Sequence, residues 1–84
     1  MKKNVWALQS DSLGGLLKEA RIDFILEVEN PSISINITDK VEDALMFDTI
    51  GEAMKHISEF ADQARLYRLS TSLEQILSFK VMRF

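Results

Sequence analysis

The stretch of sequence that decides the fold is FILEVENPSISINIT, which runs from Phe24 to Thr38. Apolar side chains stand at positions 24, 26 and 28 and again at 33, 35 and 37, with mostly polar residues between them. This alternation is typical of strands that bury one face. Asn30-Pro31 separates the two runs with residues that favour a turn. The pattern therefore predicts an antiparallel hairpin over residues 23–38, in which positions 24, 26 and 28 face positions 37, 35 and 33.

A helix is predicted directly after this hairpin, over residues 49–64. Thr49 and Glu52 have the spacing of a capping box, in which each side chain accepts a hydrogen bond from the other residue's amide. From position 50 to 64, apolar residues recur at i, i+3, i+4 and i+7, and charged residues occupy the other side. One face of this helix is therefore expected to lie across the hairpin.

The flanking segments complete the predicted fold. Residues 4–9 and 66–71 have the character of strands, and residues 75–83 that of a final strand, although residues 71–74 are also able to cap a brief helical turn before it. The leucines of residues 12–20 stand at helical spacing, which predicts a short helix rather than a loop despite two glycines. The sequence predicts a single α+β domain over residues 1–84, with an antiparallel sheet of the hairpin and the terminal strands.

Composition narrows the chemistry of the chain. Its 84 residues include no cysteine, which excludes disulfides, thiolate nucleophiles and cysteine-ligated metals. No stretch approaches the roughly 18 apolar residues of a membrane span, and the N-terminus lacks the apolar run of a signal peptide. We therefore expect a cytoplasmic protein that does not insert into a membrane.

The formal net charge of −3 conceals an uneven distribution. Residues 1–22 hold four basic and two acidic side chains, residues 23–64 hold two and ten, and residues 65–84 hold four and one. Such an acidic middle can attract and orient a basic protein partner. The predicted acidic surface comprises Asp39, Glu42, Asp43, Asp48 and Glu59. Acids near a helix N-terminus are also favoured by the helix dipole, which is the alternative reason for this cluster.

The last segment is apolar on both predicted faces. A two-sided strand at a sheet edge favours pairing with another chain, so we predict self-association as a homodimer. The residues predicted to take part are Ile76, Phe79, Met82 and Phe84. The alternative is that residues 82–84 form a tail that packs on the chain's own first helix.

A nucleic-acid-binding module is the first rival function. Basic side chains of the two terminal segments would gather on one side if those segments are neighbouring strands, and Trp6 or Tyr67 would add a stacking surface. The candidate contacts are Lys2, Lys3, Arg68, Lys80 and Arg83. The discriminating observation is whether these residues share one exposed face.

No constellation of catalytic or metal-binding residues stands out in the sequence. His56 is the only histidine, and Glu52 and Glu59 lie one helical turn away from it, which is the usual setting of an exposed helix histidine. The acids from Asp39 onwards do not fit a calcium loop, since Ala44 stands where glycine is needed and Ile50 where glutamate is needed. We expect no cofactor, no metal and no enzyme activity. A small-ligand receptor or enzyme with a pocket near His56 is the second rival.

Residues 44–53, ALMFDTIGEA, have the form A-x-x-F-x-T-x-x-E-A. Over about residues 23–70 the chain resembles a loose class of small proteins encoded by bacteriophages and prophages, mostly of unassigned function. In that class this element starts the single main helix on an antiparallel sheet. The resemblance implies an accessory protein that binds a host or phage factor. We therefore expect a non-catalytic protein-binding function.

Overall fold

The computed structural model of the protein describes residues 5–24 and 31–84. The strands are β1 (Trp6–Ser10), β2 (Gly15–Asp23), β3 (Ser32–Thr38) and β4 (Phe79–Arg83), and the α-helices are α1 (Ile50–Leu66) and α2 (Ser70–Leu77). A 3₁₀ turn at Val41–Asp43 follows β3. The strands form one antiparallel sheet in the order β3-β2-β1-β4. The predicted α+β class is confirmed, and the two terminal strands, β1 and β4, are neighbours in the sheet.

The hairpin that ends at Thr38 begins earlier than predicted. Ile33, Ile35 and Ile37 face Ile22, Ala20 and Leu17 of β2. The predicted pairing with positions 28, 26 and 24 is therefore wrong. Phe24 follows β2 and is 66% exposed, while positions 26 and 28 and the predicted Asn30 turn lie outside the described residues. A register shift between Leu17 and Glu19 explains the error, because a bulge breaks the period of two that marks a strand.

The predicted short helix over residues 12–20 is also wrong. Residues 11–14 form a turn in which Gly14 adopts a φ of +80°, and β2 starts at Gly15. Leu16 and Leu17 are both nearly inaccessible, although neighbouring strand residues point to opposite faces. An inner strand whose two faces are both covered carries consecutive apolar residues, and such a run is easily mistaken for a helix face.

Helix α1 confirms the predicted element and most of its cap. Thr49 Oγ1 accepts a hydrogen bond from the amide of Glu52 at 3.1 Å. Glu52 Oε2 reaches back one residue further than a capping box requires and accepts from the amide of Asp48 at 3.3 Å. Small residues form the buried centre of the helix face, namely Ala53, Ala61 and Ala64. They allow α1 to approach the sheet closely. The larger Met54 beside them is 58% exposed.

The predicted strand over residues 66–71 is wrong, because these residues form the end of α1, a turn and the start of α2. Helix α2 also replaces the first part of the strand predicted over residues 75–83. Arg68 has a φ of +57°, the amide of Leu69 bonds to the carbonyl of Ala64, and that of Arg68 bonds to the carbonyl of Arg65. These bonds are those of a Schellman motif, which ends α1 and turns the chain back. The helical alternative predicted before the last strand is thus confirmed as α2, whose Ile76 is buried against α1.

One face of the sheet carries the core. Leu8, Leu17, Ala53 and Phe79 form its first cluster, and Ala61, Ala64 and Ile76 form the second. The connection between the 3₁₀ turn and α1 closes this core, because Phe47 exchanges two backbone hydrogen bonds with Trp6, and the amide of Leu45 bonds to the carbonyl of Leu17. Both described helices therefore lie on this face of the sheet.

Candidate protein-binding groove

A groove of about 470 Å³ lies on the sheet face opposite α1. Leu8, Leu17 and Phe79 point towards the helix, so their strand neighbours point away from it. We call this the outer groove. Its lining comprises Gln9, Ser10, Asp11, Gly14, Gly15, Leu16, Thr38, Asp39, Val41, Met82 and Phe84.

Two features of the backbone build the groove floor. The Gly14 turn brings β1 and β2 together, with the amide of Gly14 donating to the carbonyl of Ser10 at 2.9 Å. At Gly15, an added Cβ would stand 2.9 Å from the carbonyl oxygen of Thr38. Only glycine permits this approach of β2 to β3, because real side chains do not tolerate so short a contact with backbone. Gly14 thus shapes the turn between β1 and β2, and Gly15 allows the close approach of β2 to β3.

Apolar side chains form the walls of the outer groove. Leu16 is buried at its floor, whereas Val41 is 41% exposed and Phe84 is 47% exposed. Met82 is half-buried beside them. Large apolar side chains that converge on an open groove are typical of interaction surfaces.

Asp39 lines one end of the groove, and two further acids, Glu42 and Asp43, follow it in the 3₁₀ turn that also holds Val41. We call Asp39, Glu42 and Asp43 the acidic rim. All three are exposed, and none takes part in the four salt bridges between described residues. Thr38 Oγ1 accepts from the amide of Lys40, and the 3₁₀ turn bonds the amide of Asp43 to the carbonyl of Lys40. Local hydrogen bonds therefore fix the backbone that carries these carboxylates.

The other two predicted acidic residues lie elsewhere. Asp48 directly precedes the N-cap of α1, where a negative charge is favoured by the helix dipole. Glu59 lies on α1, 3.9 Å from Lys55, and lines a different groove together with Ile22 and Phe24. Of the predicted acidic surface, Asp39 alone lines the outer groove itself.

The four residues predicted to mediate self-association divide into two pairs. Ile76 is 3% exposed and Phe79 is 9% exposed, and both belong to the core. Because their side chains are already covered within the chain, they are not surface residues. Met82 and Phe84 instead line the outer groove.

The basic residues predicted for nucleic acid do not converge. Lys80 and Arg83 are an odd number of residues apart in β4, so their side chains point to opposite faces of the sheet. Lys80 forms a 3.0 Å salt bridge with Asp11, and Arg68 lies at the end of α1. Lys2 and Lys3 lie outside the described residues. Among the described residues, Lys80 and Arg83 thus do not share the single basic face that this rival function requires.

His56 is less exposed than its sequence context predicts. Its ring lies between Phe47 and Phe60, with centroid distances of 5.3 and 5.0 Å. Its Nε2 is buried without a hydrogen-bond partner among the described residues. Burial lowers the pKa of His56 below 6.5, and the nearby Glu59 carboxylate opposes this by favouring the charged form. The cavity that His56 lines measures about 10 Å³, which is too small for a substrate.

A cluster of serine hydroxyls escaped the sequence reasoning. Ser10 is fully buried, and its hydroxyl lies 2.6 Å from that of Ser78 and 3.2 Å from that of Ser12. It also accepts from the amide of Leu13 at 3.2 Å. Ser10 and Ser78 are 68 residues apart, so no local pattern could have indicated the contact. The cluster ties the turn after β1 to the end of α2, at the side of the outer groove.

Comparison of the chain with protein-family models, with curated proteins and with solved structures finds no significant match. No helix among the described residues is long and apolar enough to cross a membrane. Groups of three or more histidine or acidic side chains suited to a metal ion are also absent from the described part of the chain. The surfaces of the described residues are therefore the basis of the function proposed below.

Proposed function

We propose that this protein is a non-catalytic binding module that holds a basic segment of a partner protein in the outer groove. The observation that carries the proposal is the combination of apolar walls at Val41, Met82 and Phe84 with the acidic rim at one end. Buried apolar anchors supply most of the affinity at protein interfaces, while complementary charges orient and accelerate association.

The charge of the rim indicates the chemistry of the partner. A segment with one or two large apolar side chains would fill the groove, and flanking lysine or arginine residues would meet Asp39, Glu42 and Asp43. Because these carboxylates are exposed, their attraction for the partner is screened by salt. The resemblance of residues 44–53 to small phage-encoded proteins supports the same kind of role, that of a cytoplasmic accessory protein acting on a host or phage factor.

The test is a titration of ¹⁵N-labelled protein with a synthetic peptide in which lysine alternates with leucine and phenylalanine. The proposal predicts amide shifts concentrated at Leu16, Val41 and Met82, and binding that weakens as salt is added. Replacing Asp39 and Asp43 together by asparagine should raise the Kd by roughly threefold to tenfold, since rim charges contribute modestly.

Two controls separate this surface from general acidity. Glu59→Gln removes one charge of the acidic middle away from the groove, and it should leave the Kd unchanged. A peptide in which every lysine is replaced by glutamate should bind much more weakly. Equal binding of the two peptides, or shifts that map away from the groove lining, would contradict the proposal.

A further inference from the structure

Strand β3 forms one edge of the sheet, with β2 on its inner side. No strand among the described residues pairs with its outer side. An edge strand presents unpaired backbone amides and carbonyls, and another chain can use them to extend the sheet. Strand β3 therefore offers a row of backbone amides and carbonyls to another chain.

Strand β3 lacks the features with which proteins block such edges. The segment Ser32–Thr38, SISINIT, contains no charged residue and no proline. The register irregularity of the β2–β3 pair lies between Leu17 and Glu19, so the extra residue is in β2 rather than at the edge. The opposite edge strand, β4, is shorter and carries Lys80 and Arg83. Charged residues on an edge oppose pairing, so β3 is the less protected edge.

The helix layer covers β3 only in part. Among the strands, helix α1 contacts chiefly β1 and β4. Ile33 and Ile35 of β3 reach the second core cluster. On the same sheet face, Ile33 and Ile35 are only half-buried and Ile37 is 38% exposed. A groove of about 420 Å³, lined partly by Ile22, Phe24 and Phe60, opens on this side. The apolar surface of the sheet thus continues beyond the helices that cover the rest of it.

The sequence of β3 matches itself when a second copy runs antiparallel to it. With a two-fold axis perpendicular to the sheet and midway between the two copies of Ile35, Ile33 faces Ile37 of the second copy. On the other face, Ser34 faces Asn36 of the second copy, and no two charges meet. Cross-strand pairs of β-branched residues, and pairs of hydroxyl and amide side chains, stabilise antiparallel pairing.

We propose that two copies of this chain associate through β3 and form a continuous eight-stranded sheet. The second copy is favoured over an unrelated strand because one axis brings apolar side chains together on one face and polar ones on the other. The outer groove reaches β3 only at Thr38, the last residue of the strand. Association of two copies is measured without a partner peptide, so its failure would not decide the proposed binding function.

The first test compares association by sedimentation velocity for the natural chain and two lysine variants. Ile37→Lys places a charge against Ile33 of the second copy and should raise the dimer Kd by at least about tenfold. The matched control is Ile50→Lys, at a position of similar exposure at the start of α1, outside both β3 and the outer groove, and it should leave association unchanged. A chain that is monomeric at every concentration would overturn the proposal. So would a dimer that Ile37→Lys leaves intact, or one that only Ile50→Lys disrupts.

The second test uses the absence of cysteine from the chain. Side chains opposite one another in antiparallel strands have Cβ atoms about 4.5–5.5 Å apart, close enough for a disulfide after small shifts. A mixture of Ser34→Cys and Asn36→Cys chains should therefore crosslink several times faster than either variant alone. Circular dichroism of each variant checks that its fold is retained. Equal rates for the mixture and the separate variants would contradict the proposed register.

Discussion

The two edges of the sheet, at β4 and at β3, differ in how completely the chain covers their apolar side chains. On the side of β1 and β4, which we call the packed side, Leu8 and Phe79 lie beneath the helices and are at most 9% exposed. On the side of β3, which we call the open side, Ile37 is 38% exposed, although it directly faces the buried Leu17. A small chain can therefore complete its core at one edge of the sheet and leave apolar side chains partly uncovered at the other edge.

The largest expected effect comes from truncating the two members of the Leu17–Ile37 pair. Leu17→Ala removes a side chain that is 3% exposed and should lower the free energy of unfolding by about 2–5 kcal/mol. Ile37→Ala should lower it by about 1 kcal/mol or less, because much of that side chain already contacts solvent. Chemical denaturation at low protein concentration, where the monomer dominates, measures both. Equal losses would remove the distinction between the two sides.

An intermediate effect is expected at the turn between α1 and α2, which places α2 on the packed side. Arg68 holds a positive φ of 57°, a conformation that glycine adopts without steric cost. Arg68→Gly should therefore raise the free energy of unfolding by about 0.5–1 kcal/mol. The control, Arg65→Gly, lies within α1 and should lower it by about 1 kcal/mol. Thermal unfolding compares the two variants, and a loss of stability in Arg68→Gly would contradict the role given to this turn.

The smallest effect concerns His56, on the packed side. Burial lowers the pKa of the folded-state imidazole below the 6.5 of an unperturbed histidine. The unfolded chain then binds more protons as the pH falls, so stability is complete above about pH 6.5 and declines below it. His56→Phe keeps an aromatic ring between Phe47 and Phe60 but cannot be protonated. The drop in Tm between about pH 7.5 and about pH 5.5 should be smaller in this variant than in the natural chain. An unchanged drop would show that His56 does not contribute to the pH dependence.

Much of the fold could be predicted because it depends on local patterns. The alternating isoleucines of β3 and the Thr49 cap of α1 each involve residues close in sequence, and both are found in the structure. The partner of β3 could not be predicted, because the bulge beside Leu17 hides the alternation of β2. The sequence indicates helix α2 only as an alternative, because its separation from α1 depends on the positive φ of Arg68.

The candidate site was less predictable than the fold. Proximity in sequence predicts one acidic surface that includes Asp39 and Asp43; Asp39 lines the outer groove, and Asp43 lies in the 3₁₀ turn that follows it. The apolar walls that complete this groove come from β4 and the 3₁₀ turn, which only the folded chain brings together. The surroundings of His56 were hidden for the same reason, because Phe47 reaches it from the connection before α1.

The asymmetry of the two edges is tested most directly by amide hydrogen exchange at increasing protein concentration. The account predicts that amides of β3 on its outer side become more protected as the concentration rises, while protection of β4 stays constant. In Ile37→Lys the protection of β3 should lose its dependence on concentration. Protection of β3 that is independent of concentration in the natural chain, or that rises at β4 instead, would contradict the account.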